Sequence, residues 1–155
     1  QPPLARLVLS ANQLRQLPGS IVDLERLALL DLSHNQLAAL PDGISRLSAL
    51  RHLLLSHNLL VELPAELEHA PLRSIETIEL NENRLTRLSL ASPALATLQA
   101  ANNRLAQLTL AGCASLRELT ASHNALEGFP DVAALANLAT VDLGTNRISS
   151  IDAAV

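Results

Sequence analysis

The residues best suited to chemistry in this 155-residue chain are His34, His52 and His57, then Glu76, Glu79 and Glu82, and a lone cysteine, Cys113. His34 and His57 sit in identical Ser-His-Asn triplets, with His52 close by. Grouped imidazoles are the first ingredient of a zinc site, yet no carboxylate or cysteine stands at ligand spacing to complete the donor set. The triplet also recurs at Ser122-His123-Asn124, which marks it as part of a repeated framework. No metal site is therefore predicted. A pH-sensitive contact is the chemistry that two neighbouring imidazoles on a binding face would support. Cys113 has no partner for an internal disulfide and reads as a small packed residue. A Ser-His-Asp set, a phosphate loop, H-E-x-x-H and C-x-x-C are all missing, so the chain is read as non-enzymatic and without a cofactor.

Composition narrows the remaining classes. Apolar residues make up 48% of the chain while aromatics make up 1%, so the core must be built from Leu, Ile, Val and Ala. That suits a stacked, repetitive interior. The net charge of −4 gives no attraction to nucleic acid or anionic lipid, and no nucleic-acid partner or membrane insertion is expected. All 11 basic residues are Arg, which removes Schiff-base and P-loop lysine chemistry.

The histidines and glutamates gain positions once the chain is laid on itself. The stretch Leu27-Ala28-Leu29-Leu30-Asp31-Leu32-Ser33-His34-Asn35-Gln36-Leu37 has the form L-x-x-L-x-L-x-x-N-x-L, and related units start at Leu4, Leu27, Leu50, Ile75, Leu95, Leu116 and Leu138. Each carries an asparagine in register: Asn12, Asn35, Asn58, Asn83, Asn103, Asn124 and Asn146, spaced by 23, 23, 25, 20, 21 and 22 residues. The x-L-x-L centre alternates with period two and predicts a short strand with Leu pointing inward. The asparagine follows, where the chain turns away. Its amide is expected to satisfy the turning backbone and to pair with the next repeat, forming a buried structural ladder.

The return segments are of two kinds. Leu17-Pro18-Gly19-Ser20-Ile21, Leu40-Pro41-Asp42-Gly43-Ile44 and Leu63-Pro64-Ala65-Glu66-Leu67 place apolar residues three or four apart after a proline, which predicts a helical turn or short 3₁₀ helix. Repeats four and five are shorter, and Leu88-Ser89-Leu90 and Leu108-Thr109-Leu110 alternate with period two, which predicts an extended return. Repeats five and six carry Ala100 and Ala121 where others carry Leu, read as compensation for Leu90 or Leu110 pointing inward.

These units resemble the leucine-rich repeat superfamily over essentially the whole chain, 1–155, as one domain. The resemblance implies an α/β solenoid: a curved right-handed stack with a concave parallel sheet of seven short strands and mostly 3₁₀ or extended convex segments. The early L-P-x-x-I-x-x-L units resemble intracellular types found in Ras-binding scaffold, Roco and adenylyl-cyclase proteins. Leu105-Ala106-Gln107-Leu108-Thr109-Leu110-Ala111-Gly112, followed by Leu119-Thr120-Ala121-Ser122-His123-Asn124, is similar to arrays in the PH-domain leucine-rich-repeat protein phosphatases. Such a phosphatase would keep its metal-binding carboxylates in a separate domain, so no catalytic residue carries over.

In such a stack the second, third, fifth, seventh and eighth positions of each unit point outward from the concave face. Val8, Leu29 and Leu54 then expose apolar side chains on the early strands, beside Asp31, His34, Arg51, His52 and His57, and Glu76, Glu79 and Glu82 add three carboxylates on one repeat. The strip is expected to take a protein or peptide whose apolar stretch is followed by Arg or Lys, within a signalling or scaffold protein. Two readings compete: a solvated charged strand with no ligand, and a spacer or regulatory arm of a multidomain enzyme such as a phosphatase. The lack of disulfide end caps, sequons and a signal peptide predicts a cytoplasmic setting. Repeats that begin at Leu4 and stop at Val155 without capping units predict a segment of a longer protein, with flanking domains in cis.

Overall fold

The computed structural model describes residues 3–151. Residues 1–2 and 152–155 of the expected 1–155 domain lie outside the described residues. Among the described residues there are nine three-residue strands: β1 (Arg6–Val8), β2 (Leu29–Asp31), β3 (His52–Leu54), β4 (Thr77–Glu79), β5 (Arg87–Ser89), β6 (Thr97–Gln99), β7 (Gln107–Thr109), β8 (Glu118–Thr120) and β9 (Thr140–Asp142). Seven of them form one parallel sheet in the order β1-β2-β3-β4-β6-β8-β9, and each starts two residues after a repeat start read from the sequence. The chain is a parallel β-solenoid. Among the described residues helix is confined to three 3₁₀ segments, Gly19–Asp23, Ile44–Arg46 and Ala65–Glu68, each in a proline-bearing return segment. Among the described residues no helix is long and apolar enough to cross a membrane.

The middle residue of each strand points inward. Leu30, Leu53, Ile78, Leu98 and Leu119 are buried at 0–1% exposure, whereas Val141 of β9 is 38% exposed and Leu7 of β1 is only partly buried. Position within the repeat is identical in all seven, so the difference arises from having a layer on both sides. A repeat buries its leucines only against its neighbours. Burying such a side chain fully contributes roughly 1.5–3 kcal/mol.

Behind the sheet, repeats four and five run extended, and their return strands β5 and β7 pair in parallel with Arg87 opposite Gln107 and Ser89 opposite Thr109. Leu90 and Leu110 are buried there, as are Ala100 and Ala121 on the front. These short returns bring two backbones close together. A Cβ on Gly112 would lie 2.6 Å from the Ala91 Cα, a distance that only glycine permits. In the longer early repeats the joint is polar instead. The Glu66 carboxylate accepts from the backbone N–H of Gly43 and of Ser45, both at 3.0 Å, and so caps the 3₁₀ turn of the preceding repeat. Burial opposes its charge, but the amides of Ser45 and Gly43 and the Ser45 hydroxyl outweigh that and hold the carboxyl below the ordinary glutamate value.

Candidate interaction face

Strand register arranges the outward side chains in two rows. The first runs Arg6, Leu29, His52, Thr77, Thr97, Glu118, Thr140, and the second runs Val8, Asp31, Leu54, Glu79, Gln99, Thr120, Asp142. Val8 is exposed at 54%, while Leu29, Asp31, His52, Leu54 and Glu79 are half-buried. At about 4.8 Å per strand step, the path from β1 to β9 is roughly 30 Å long.

The edge of this face is set by the asparagines. Asn58 shows the pattern: its Oδ1 accepts from Leu37 N–H at 3.0 Å, and its Nδ2 donates to Leu32 O at 2.9 Å and to Leu55 O at 3.1 Å. Equivalent bonds join Asn35 to Leu14 and Leu9, Asn83 to Leu60 and Leu55, and Asn103 to Leu85 and Leu80. Asn124 and Asn146 continue the series to Leu105 and Ala100, and to Leu126 and Ala121. Apart from Leu55, which lies in the turn of Asn58's own repeat, these partners lie in the preceding repeat, which corrects the expected pairing with the next one. The amides bond backbone groups, because the turn of the preceding repeat leaves its own N–H and C=O groups open toward them. Asn12 is exposed and bonds only Leu9 O and Ser10 O of its own turn.

The residue before each asparagine is left-handed: Ala11, His34, His57, Glu82, Asn102, His123 and Thr145 have φ between 53° and 58°. All seven are exposed. His and Asn tolerate this region better than most residues, which gives the Ser-His-Asn triplets a conformational reason. The turn also aligns consecutive repeats, so the rings of His34 and His57 stack with centroids 4.1 Å apart and planes 12° apart. Among the described residues no group of three or more His, Cys, Asp or Glu could hold a metal ion.

Several outward polar groups are already engaged, which periodicity did not reveal. Asp31 Oδ1 accepts from the Ser33 amide at 3.0 Å and the Ser33 hydroxyl at 2.7 Å, closing the end of β2. Arg51 pairs with Glu76 at 3.4 Å, so Glu79 and Glu82 are the unpaired carboxylates of that repeat among the described residues. Both Arg51 and Glu76 occupy the second position of consecutive units, and that shared slot was the signal available in the sequence. Asn81 donates to Gln99 Oε1 at 3.0 Å and accepts from Ala101 N–H at 2.8 Å, a bridge the sequence reading missed. Behind the sheet, Cys113 is fully buried, its Sγ 3.5 Å from Leu90 O, and burial pushes its thiol pKa up. A buried thiol held neutral is a poor nucleophile.

A parallel solenoid with an asparagine-bonded turn in every unit defines a repeat protein built around a side-chain-bearing sheet. Sequence comparison agrees: the leucine rich repeat family matches residues 2–60. The described residues fold as a leucine-rich repeat stack. No curated protein sequence matches it significantly. Among solved structures it is similar to the leucine-rich effector YopM from Yersinia pestis, with 28% identity and a TM-score of 0.67 over 97% of this chain and 46% of that one. It is also similar to the leucine-rich repeat domain of APL1B, with 25% identity and a TM-score of 0.82 over 94% and 42%. TLR13, solved in complex with ssRNA13, gives 25% identity and a TM-score of 0.63 over 96% and 26%. The chain spans less than half the length of each of these structures. The leucine-rich repeat fold is a common protein–protein interaction module.

Proposed function

We propose that this chain is a non-enzymatic interaction module that binds a protein or peptide along the concave face, across β1 to β4. The observation that carries this reading is the register of those strands. Val8, Leu29 and Leu54 lie within two adjacent rows that reach Thr77 and Glu79 at β4, with Glu82 in the turn that follows. A ligand lying across the strands meets aliphatic surface first and free carboxylate second. It would therefore present an apolar stretch followed by Arg or Lys. Of the eleven candidate residues, Val8, Leu29, Leu54, Glu79 and Glu82 make direct contact in this reading. His34, His52 and His57 form its polar border, and Arg51, Glu76 and Asp31 shape the floor through the bonds they already make. A mild net charge of −4 and this acidic end favour protein over RNA as the ligand.

A random peptide library displayed against the full chain tests the proposal. Selected peptides should share aliphatic residues followed by Arg or Lys and should bind Leu54→Arg at least about tenfold more weakly. Selection of no common pattern, or equal binding to Leu54→Arg, would sink the proposal.

A further inference from the structure

Among the described residues the second sheet holds only β5 and β7, so β5 has one unpaired side. In a parallel pair, alternate residues send both backbone groups to the same neighbour. Thr86 O accepts from Ala106 N–H and Leu90 N–H donates to Thr109 O, so the Thr86 C=O and the backbone groups of 88 and 90 face β7. The N–H and C=O of Arg87 and Ser89 face the other way. They border a groove of about 360 Å³ whose opposite wall is Leu63, Pro64 and Ala65.

Sequence explains why the sheet stops here. Counted from the repeat asparagines, Leu63 and Pro64 occupy the slots that Leu88 and Ser89 fill one repeat later. Pro64 is extended, with φ −52° and ψ 129°, but has no N–H to offer a neighbouring strand. The chain then turns into the 3₁₀ helix Ala65–Glu68. One long bond, Thr86 N–H to Val61 O at 3.4 Å, joins the two segments before they part. The groove walls are acidic. Glu68 pairs with Arg87, while Asp42 and Glu62 have no ion-pair partner among the described residues.

We propose that this groove receives an extended basic segment of a partner protein as an added strand on β5. Its backbone pairs with Arg87 and Ser89, and its alternate side chains, Lys or Arg, reach Asp42 and Glu62. The intervening residues are small and apolar, facing Leu40 and Leu63. This site lies away from the seven-stranded sheet and does not depend on the function proposed for that face.

The test uses the full chain and a blocked pentapeptide alternating Arg and Val, followed by amide chemical shifts and hydrogen exchange. Binding should protect the amides of Arg87 and Ser89 and move resonances near 62–65 and 86–90. Ser89→Pro should weaken binding about tenfold or more without lowering the thermal midpoint, because Pro41 and Pro64 already fill that slot and the Ser89 N–H is not used by β7. Asp42→Arg with Glu62→Arg should also abolish binding while leaving the strand edge intact. Absence of protection at Arg87 and Ser89, or equal binding by Ser89→Pro, overturns the proposal, as does equal binding of a peptide alternating Glu and Val. Concentration-dependent self-association that Ser89→Pro abolishes, without peptide binding, would assign the edge to a second copy and equally overturn it.

Discussion

Repeats one to three and repeats four and five share one sheet and differ in everything behind it. The early returns contain proline and turn into 3₁₀ helices, joined across repeats by the Glu66 carboxylate. The later returns are two to five residues shorter from asparagine to asparagine, run extended, and join through the β5–β7 ladder and the close approach of Gly112 to Ala91. The front does not register this change: His52 pairs with Thr77 across the boundary as Thr77 pairs with Thr97 beyond it. The comparison teaches that the asparagine-bonded turn isolates the front from the back. Strand register is fixed by the inward leucines and the turn amides, so the return can vary in length and conformation without shifting a residue on the outward face.

The largest effect should come from breaking what the two regions share. Asn58→Leu and Asn103→Leu each leave one N–H without a partner and remove one of the two amide donors from each of two C=O groups, and each should cost about 3 kcal/mol in chemical denaturation. If Asn103→Leu is tolerated while Asn58→Leu is not, the regions do not share a front. Next in size is a change confined to the short repeats. Gly112→Ala drives a methyl into backbone and should cost roughly 1–3 kcal/mol, whereas Gly128→Ala, with nothing within 4 Å of its Cβ, should be near neutral. Smallest is a change confined to the long repeats. Glu66→Gln should cost about 1 kcal/mol at neutral pH, since a partly exposed carboxylate loses only part of its charge-assisted bonding. The sign follows from linkage. The folded-state pKa is below the usual 4.5, so this stabilisation is complete above that value and disappears as pH falls through the lowered one. The wild-type and Glu66→Gln stability curves should therefore converge in acid. Parallel curves would show that Glu66 does not join the early repeats electrostatically.

The fold was legible to the strand because the leucines that build it recur at the inward period, and all seven sheet strands begin two residues after their repeat starts. Proline and period-two alternation likewise separated the 3₁₀ returns from the extended ones. Pairing within the extended returns was not legible, since it depends on Gly112 letting two backbones approach. The outward face was legible only as a list of residues. Which of them are free depends on contacts between units, such as Arg51 with Glu76, or on local closures such as Ser33 on Asp31. The left-handed turn that stacks His34 on His57 depends on backbone angles that a hydrophobic pattern does not encode.

The claim that the front face recognises an apolar-then-basic ligand is tested most directly by the affinity of a selected peptide for the wild type and for Glu79→Lys, measured across ionic strength. Recognition through Glu79 predicts wild-type binding that weakens as salt rises, and a loss of about tenfold or more in Glu79→Lys with that salt dependence flattened or reversed. Equal affinity and an equal salt slope for the two proteins would contradict it.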